Sequence, residues 1–415
     1  MSNAPWIFLT GSHSGTGNGS IPYGIAVNDG DLRTGTITVA NQGITFIQEP
    51  SGTNGTPASL SIVSGNNQTG TIGTTFGQKL VVKITGADGN PFAGAAVTFA
   101  VASGSASASP TTATSGIDGT AATSVTLSGT TGAIRVTAST PGLPTVTFSA
   151  NAAPPAPQIQ TGGVMSAGLS SPPVQAASPN AIVSVFGQNL APAGTNRRAL
   201  PPDLVNGLLP TNFAGVCVLF GNQRAPIFIV TPGQVNVQVP QVPFPSAVAV
   251  QVITNCDTPN QALSNPITVP TQASAPEFFY AAQNASGGNP VAAVDGLTGG
   301  GIGDPARLGA GFALAYPGEV VVIYATGLGL TTPPFAPGQL ATTGAQVSGA
   351  TVSMDGAAID PSAVQYAGVV PTEAGLYQLN VVLPISLTPG DHTIAVTVNG
   401  ASSPSQAYIS VATAK

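Results

Sequence analysis

The sequence predicts an all-β protein, a tandem array of β-sandwich domains, and three observations lead to this prediction. The chain holds 52 glycines and 38 prolines, which favour short strands joined by tight turns. Only 6% of the residues are charged while 42% are hydrophobic, so disorder is disfavoured. Apolar and polar residues alternate in short runs, and no helical period of any length is present. A chain of 415 residues should divide into three or four domains.

The first segment, residues 1-50, is predicted to form short strands at 6–9, 21–27, 34–39 and 43–48. It resembles the BACON-type β-module at residues 2–7, in the loop 14–19 and at residues 33–39. That family begins with further strands upstream. The resemblance therefore implies a partial BACON-like module, and we expect the biological protein to continue N-terminally.

The second segment, residues 57-153, fits an Ig-like sandwich because about seven strands occur in about 95 residues. It resembles the bacterial Ig-like domain of the invasin/intimin type through D-G-N-P-F-A-G-A-A-V-T-F at 88–99, D-G-T-A at 118–121 and R-V-T-A at 135–138. In that family such domains are stacked spacers of surface proteins. A linker with three prolines, 151–158, follows and is expected to be extended.

The rest of the chain contains an internal repeat. Gln234, Asn236 and Pro240 belong to Q-V-N-V-Q-V-P, and Gln378, Asn380 and Pro384 belong to Q-L-N-V-V-L-P, 144 residues later. Residues 182–190 likewise match 320–328, and 250–255 match 394–399, in the same order. This predicts a duplicated β-sandwich, with one copy at 160-284 and the other at 285-415. The two asparagines should occupy equivalent positions. Residues 274–280 should bridge the copies, and 285–311 should be a Gly-rich insertion.

The duplicated region resembles the Solibacter-type C-terminal domain, an uncharacterised family found at the ends of large secreted proteins of Acidobacteria. The resemblance rests on residues 182–192, 214–216, 225–226, 230–236, 275–279, 324–329, 375–384 and 398–404. It implies a C-terminal module of an exported protein. It implies no activity, because none is established for that family.

Composition excludes some classes of function. The net charge is −6 and Lys plus Arg number nine, so no basic patch for nucleic acid is expected. The longest apolar stretch, 312–330, is interrupted by Pro317 and Glu319, so no transmembrane segment is predicted. The first residues lack the basic and apolar regions of a signal peptide. We nevertheless expect an extracellular or cell-surface location, with the signal on a longer chain.

No constellation of catalytic residues is evident. The two histidines, His13 and His392, lie in a Gly/Ser loop and a turn, where solvated side chains are expected. No G-x-S-x-G motif is present, and the pair Gly327/Gly329 is not followed by a helix that could make a phosphate site. The acidic run 28–31 could supply oxygen ligands to Ca²⁺ or form a plain hairpin turn, and the turn is favoured. No enzyme activity, metal or other cofactor is therefore predicted.

The two cysteines, Cys217 and Cys256, lie in the first copy, and their equivalents in the second are predicted to be Val352 and Gly400. A disulfide within one sandwich is favoured over two buried free thiols. It would contribute about 4 kcal/mol in the chain-entropy treatment and would fit an oxidising compartment.

The favoured function is therefore a non-catalytic structural or adhesion role at the cell surface, as the C-terminal stalk and terminal module of a larger exported bacterial protein. The alternative is a polysaccharide-binding module that uses loops of the terminal sandwiches. Other surface proteins are possible partners. Exposed strand edges could also allow self-association.

Overall fold

The computed structural model describes residues 1–11, 15, 17–28, 32–48, 56–283 and 288–413. Across these ranges the chain is strand, turn and loop apart from two 3₁₀ turns and one α-helical turn, α1 (Pro305–Leu308). The all-β prediction is therefore confirmed. None of the helices so described is long and apolar enough to span a membrane. The chain divides into two compact units, Met1–Pro155 and Ala156–Lys415.

The described residues up to 48 include two small antiparallel pairs. These are β1 (Ile7–Leu9) with β2 (Tyr23–Ile25), and β3 (Arg33–Val39) with β4 (Gln42–Gln48). A small core of Ala4, Ile7 and Ile37 lies between them, and Trp6 packs against it. The Arg33 guanidinium sits 4.5 Å from the Trp6 ring centroid. Trp6 is thus partly buried between this core and Arg33.

Residues 57–153 form a two-sheet sandwich of nine strands. The strands are β5 (Pro57–Ser64), β6 (Gln68–Thr71), β7 (Leu80–Gly86), β8 (Ala96–Ser103), β9 (Ala106–Ser109), β10 (Thr112–Thr114), β11 (Thr120–Leu127), β12 (Gly132–Ser139) and β13 (Val146–Ala153). One sheet has the order β5-β7-β11-β9 and the other β10-β8-β12-β13-β6. Strands β5, β7 and β11 share one sheet, and β8, β12 and β13 share the other. Immunoglobulin sandwiches divide their A, B and E strands from their C, F and G strands in the same way.

Alternation of side chains explains why these strands form a sandwich. Along β7 every second residue is buried, including Leu80, Val82 and Ile84, while the residues between them are partly exposed. Val97 and Phe99 of β8 complete the opposite wall of the same core. Each fully buried side chain of this size stabilises the fold by about 1.5–3 kcal/mol. A shift of register by one residue would expose the whole set.

The second unit contains two further sandwiches. The first sandwich comprises β14 (Gln158–Ser166), β15 (Ile182–Gln188), β16 (Arg197–Arg198), β17 (Val216–Phe220), β18 (Gln223–Arg224), β19 (Ile227–Val230), β20 (Gln234–Gln238), β21 (Ser246–Thr254), β22 (Ala262–Leu263) and β23 (Ile267–Thr271), with a 3₁₀ turn at Pro201–Asp203. The second sandwich comprises β24 (Glu277–Phe278), β25 (Asn289–Pro290), β26 (Ala293–Asp295), β27 (Gly301–Ile302), α1, β28 (Phe312–Ala313), β29 (Val320–Thr326), β30 (Thr351–Met354), β31 (Ala357–Ala358), β32 (Val364–Val369), β33 (Tyr377–Val382), β34 (Gly390–Val398), β35 (Ala401–Ser402) and β36 (Ala407–Val411), with a 3₁₀ turn at Pro361–Ala363.

The two sandwiches have the same strand connectivity. In the first, β14-β15-β20-β19 form one sheet, and β18-β17-β21-β23 lie side by side in the other. In the second, the corresponding strands are β24-β29-β33-β32 and β31-β30-β34-β36. Each set reproduces the Ig-like order of strands. Because the order of elements is also the same, the topology agrees with a duplication.

The strand register gives residue-level equivalences between the sandwiches. Asn236 pairs with Ser184 of β15, and Asn380 pairs with Val322 of β29, so both occupy the same position. One predicted equivalence is wrong. Cys217 pairs with Ile253 of β21. In the second sandwich, the register places Thr351, and not Val352, at the position equivalent to Cys217. The error arises from matching glycines in the turns, which lie one residue apart in the two copies.

The segments between the two copies differ from a simple bridge and loop. Strand β24 pairs with β29, and its Phe278 is fully buried in the core of the second sandwich. We therefore propose a boundary between the copies just before Ala275 rather than at residue 284. The described part of the Gly-rich insertion forms β25 to β27 and α1, and β26 extends a sheet by pairing with β29.

Polar groups connect the two sandwiches directly. The Glu277 side chain of β24 is fully buried and accepts hydrogen bonds from the backbone N–H groups of Gly168 (2.9 Å) and Ser170 (2.7 Å). The Thr326 hydroxyl oxygen of β29 accepts a bond from the N–H of Ile182 at 2.8 Å. These contacts satisfy buried donors of the first sandwich with acceptors of the second, which ties the two copies together.

Candidate functional site

The predicted disulfide is present and lies on the outer face of the first sandwich. Cys217 in β17 and Cys256, just beyond β21, are bonded, with their Cα atoms 5.9 Å apart and a sequence separation of 39. Both are buried, in a small cluster with Ile253 and the partly buried Leu219 that is separate from the main core. The bond joins two neighbouring strands from outside. It is a structural feature, with no thiol left for chemistry.

An ion pair closes the loop beside the disulfide. The Asp257 carboxylate accepts hydrogen bonds from the Arg224 guanidinium (3.0 Å from Nη1) and from the Asn212 side-chain amide (2.9 Å). These two groups lower the pKa of Asp257, and the larger effect comes from Arg224. Asp257 and both sulfur atoms lie within 4.8 Å of one another. A disulfide offers no thiolate, so this trio does not form a zinc site.

The repeated glutamines and asparagines make the same local bond in each copy. The Gln234 amide donates to the Asn236 side-chain oxygen at 2.7 Å, and Gln378 donates to Asn380 at 3.1 Å. These side chains are partly exposed, while the residues between them point into the cores. The repeat therefore has a structural role. Strands β20 and β33 end at Gln238 and Val382, each two residues before the repeated proline, Pro240 or Pro384.

His392 differs from the solvated histidine that the sequence predicts. Its residue exposure is 8%. Its Nδ1 lies 2.6 Å from a carboxylate oxygen of Asp355, and its Nε2 lies 2.7 Å from the carbonyl oxygen of Thr388. Since both neighbours are hydrogen-bond acceptors, this geometry favours the protonated ring, which can donate from both nitrogens. Neither neighbour is a nucleophile, so this pair stabilises the strand start and carries no catalytic triad.

The other predicted candidates are turns or lie beyond the described residues. His13 falls outside those residues, as do Asp29, Gly30 and Asp31 of the calcium candidate. Asp355 begins the two-residue turn between β30 and β31, with positive φ at both turn positions. This agrees with the preference of Asp-Gly for hairpin turns.

The most prominent cluster of polar side chains lies on the outer face of the second sandwich and was missed from the sequence. Arg307 in α1 contacts Asp304 (Nε to Oδ2, 3.0 Å), Asp391 (Nη1 to Oδ2, 2.8 Å) and the Tyr408 hydroxyl (3.1 Å). Its guanidinium carbon is 5.7 Å from the Tyr408 ring centroid. The hydrogen bonds to Asp391 and, to a smaller extent, to Tyr408 raise the pKa of Arg307. The Ser410 hydroxyl also donates to Asp391 at 2.6 Å.

These residues are far apart in sequence, which explains why no motif revealed them. Arg307 is 84 residues from Asp391 and 101 from Tyr408. A signal nevertheless exists in the repeat, because the equivalent strands of the first copy carry Ala247 and Thr268 where the second has Asp391 and Tyr408. A side-by-side alignment of the two copies would have marked these positions as different.

Comparison with protein-family models and with curated proteins gave no match. The resemblances to the BACON-type and Solibacter-type families therefore stay predictions. Among solved structures, the C-terminal 282-residue fragment of intimin, in complex with the intimin-binding domain of the translocated intimin receptor, is 17% identical. It aligns with 53% of this chain and 67% of its own, with a TM-score of 0.28.

Two further solved structures are similar over more of the chain. The Bacteroides ovatus mixed-linkage glucan utilization protein SGBP-B, in complex with a heptasaccharide, is 12% identical over 86% of this chain and 71% of its own, with a TM-score of 0.26. Domains 4–9 of the surface layer protein SbsC are 12% identical over 92% of this chain and 55% of theirs, with a TM-score of 0.20. At such identities and TM-scores, these similarities carry no inference about function.

Proposed function

We propose that the chain is a non-catalytic segment of an exported bacterial surface protein, in which successive Ig-like sandwiches act as a stalk with a terminal module. The observation that carries this proposal is the bond between Cys217 and Cys256. Disulfides persist in oxidising compartments and are rare in the cytosol of most organisms. A chain with only 6% charged residues and successive sandwiches, one of which contains a disulfide, suits spacing, anchoring or adhesion.

The chemistry of the described titratable residues supports a structural role. The buried His392 is committed to Asp355 and a carbonyl, and the buried Glu277 is committed to two backbone N–H groups. Both groups have a structural role, because each bonds to backbone groups of the fold.

Labelling of intact cells of the producing bacterium tests the proposal. Antibodies against this chain should label unpermeabilised cells or bind protein in the culture medium. A signal that appears only after cell lysis would refute an exported location. Self-association through strand edges stays a prediction. Strand β4 pairs with β3 and carries exposed Ile44 and Ile47 (56% and 69%), and light scattering across concentrations would test it.

A further inference from the structure

The outer face of the second sandwich contains an open groove of about 490 Å³. Sites for small ligands commonly occupy about 300–1,000 Å³. Besides Gly288, it is lined by residues with polar groups, one of which is aromatic: Arg307, Asp391, Thr393, Ser405, Gln406 and Tyr408. A second depression of about 380 Å³ adjoins it on the other side of the Arg307–Asp391 pair. The groove lies on strands β34 and β36 beside α1, and the turn that holds Ser405 and Gln406 also lines it.

The arrangement of polar groups in the groove is preorganised. Arg307 is held by two carboxylates and by the Tyr408 hydroxyl, and Asp391 is held in turn by Ser410. A side chain that is already fixed loses little conformational entropy when a ligand binds. Thr393 and Gln406 are exposed beside this network and offer both donors and acceptors.

The groove is specific to the second copy. The insertion that carries Arg307 has no counterpart in the first sandwich. Strand register also matches the following positions of the two copies: Ala247, Ala249 and Thr268 in the first, and Asp391, Thr393 and Tyr408 in the second. The first copy thus has two alanines and a threonine at the positions where the second copy has three side chains that line the groove. The strand connectivity does not depend on these side chains, because the first sandwich has the same connectivity without them.

The charge balance of the groove indicates the class of ligand. One guanidinium faces two carboxylates, Asp304 and Asp391, so the site has no surplus positive charge for a phosphate or a carboxylate. A polyhydroxylated neutral ligand fits better, because its hydroxyl groups can bond to Asp391 and Gln406 while its C–H face packs on the Tyr408 ring. We propose that this groove binds a neutral polysaccharide chain. The proposal goes beyond the surface location, which cell labelling tests separately.

The test measures binding of the full chain to soluble polysaccharides by affinity electrophoresis. The panel contains neutral glucans, xylans and mannans, together with anionic polyuronates. Binding to at least one neutral polymer is expected, and Tyr408→Ala should weaken it about tenfold or more. Gly288→Leu provides an independent variant, because a Cβ at Gly288 would lie 3.6 Å from the Tyr408 ring and a longer side chain would cover it. It removes no native group and should weaken binding similarly.

Tyr324→Ala is the matched control, because Tyr324 is a partly exposed tyrosine of β29 in the other sheet of the same sandwich. Its affinity should equal that of the unmodified chain. Binding to a neutral polymer that both groove variants leave unchanged would overturn the site. Binding to anionic polymers alone, or to no polymer of the panel, would overturn the ligand class.

Discussion

Replacement of Glu277 by alanine should loosen the connection between the two sandwiches of the second unit. The carboxylate of Glu277 is fully buried and accepts the N–H groups of Gly168 and Ser170. Alanine would leave both donors buried without an acceptor. Each orphaned donor costs about 1–3 kcal/mol, so the pair should cost roughly 3 kcal/mol after partial access of water to the cavity. A difference of that size corresponds to about a 150-fold change in an equilibrium constant.

Native-state hydrogen exchange at these two amides measures the effect locally, which suits a chain of several domains whose unfolding is not two-state. Exchange at Gly168 and Ser170 should accelerate about 150-fold in Glu277→Ala. Glu277→Gln keeps one acceptor oxygen and should give a smaller acceleration, about tenfold. Glu373→Ala changes an exposed glutamate of the same sandwich and serves as the control. Unchanged exchange in Glu277→Ala would show that the carboxylate does not hold the two copies together.

Three further predictions concern stability. Cys217→Ala with Cys256→Ala should destabilise the first sandwich by about 4 kcal/mol in the chain-entropy treatment, seen as a lower denaturation midpoint, and an unchanged midpoint would contradict it. Burial lowers the pKa of His392, but its bonds to the carboxylate and the Thr388 carbonyl outweigh this and raise it above its ordinary 6.5. The bond to His392 is also the main cause that lowers the pKa of Asp355 below 3.8. The pair should therefore stabilise the fold fully between about pH 4 and 6.5. As the pH rises through the folded pKa of His392, roughly 1 kcal/mol of stability should be lost. The loss is small because the Asp355 carboxylate is half exposed. His392→Gln should abolish that pH-dependent part of Tm, and an equal slope in both proteins would disprove it. Gly327→Ala should destabilise the second sandwich by several kcal/mol, because φ at this position is +74° and a Cβ would lie 2.0 Å from the Ala275 carbonyl oxygen. A Tm within 1 °C of that of the unmodified chain would refute this.

Strands were predictable because their alternation reflects burial directly. Gln234–Gln238 and Tyr377–Val382 show it clearly, with core residues between partly exposed polar ones. The duplication followed from the same signal, since constant spacing between equivalent strands preserves the register. The wrong equivalence between Cys217 and Val352 arose at a turn. Glycine can occupy either of two neighbouring positions in such a turn, so matching the turn glycines does not fix the register.

Burial of isolated polar residues was not predictable from the sequence. His392 follows a Pro-Gly-Asp turn, which indicates solvent exposure, yet strand β34 begins at Gly390 and carries the histidine inward. The two-residue strands of the insertion, such as Gly301–Ile302, are too short to show alternation. The groove depends on contacts between Arg307, Asp391 and Tyr408 that exist only after folding.

We propose that this chain works outside the cytosol, where the disulfide between Cys217 and Cys256 can persist. Thiol trapping in cells tests it most directly. Cells of the producing bacterium are quenched with acid, and the denatured protein is alkylated without reduction before its intact mass is measured. The account predicts no alkylated cysteine, because Cys217 and Cys256 are bonded to each other. Two alkylated cysteines in the freshly quenched protein would contradict both the disulfide and the oxidising location inferred from it.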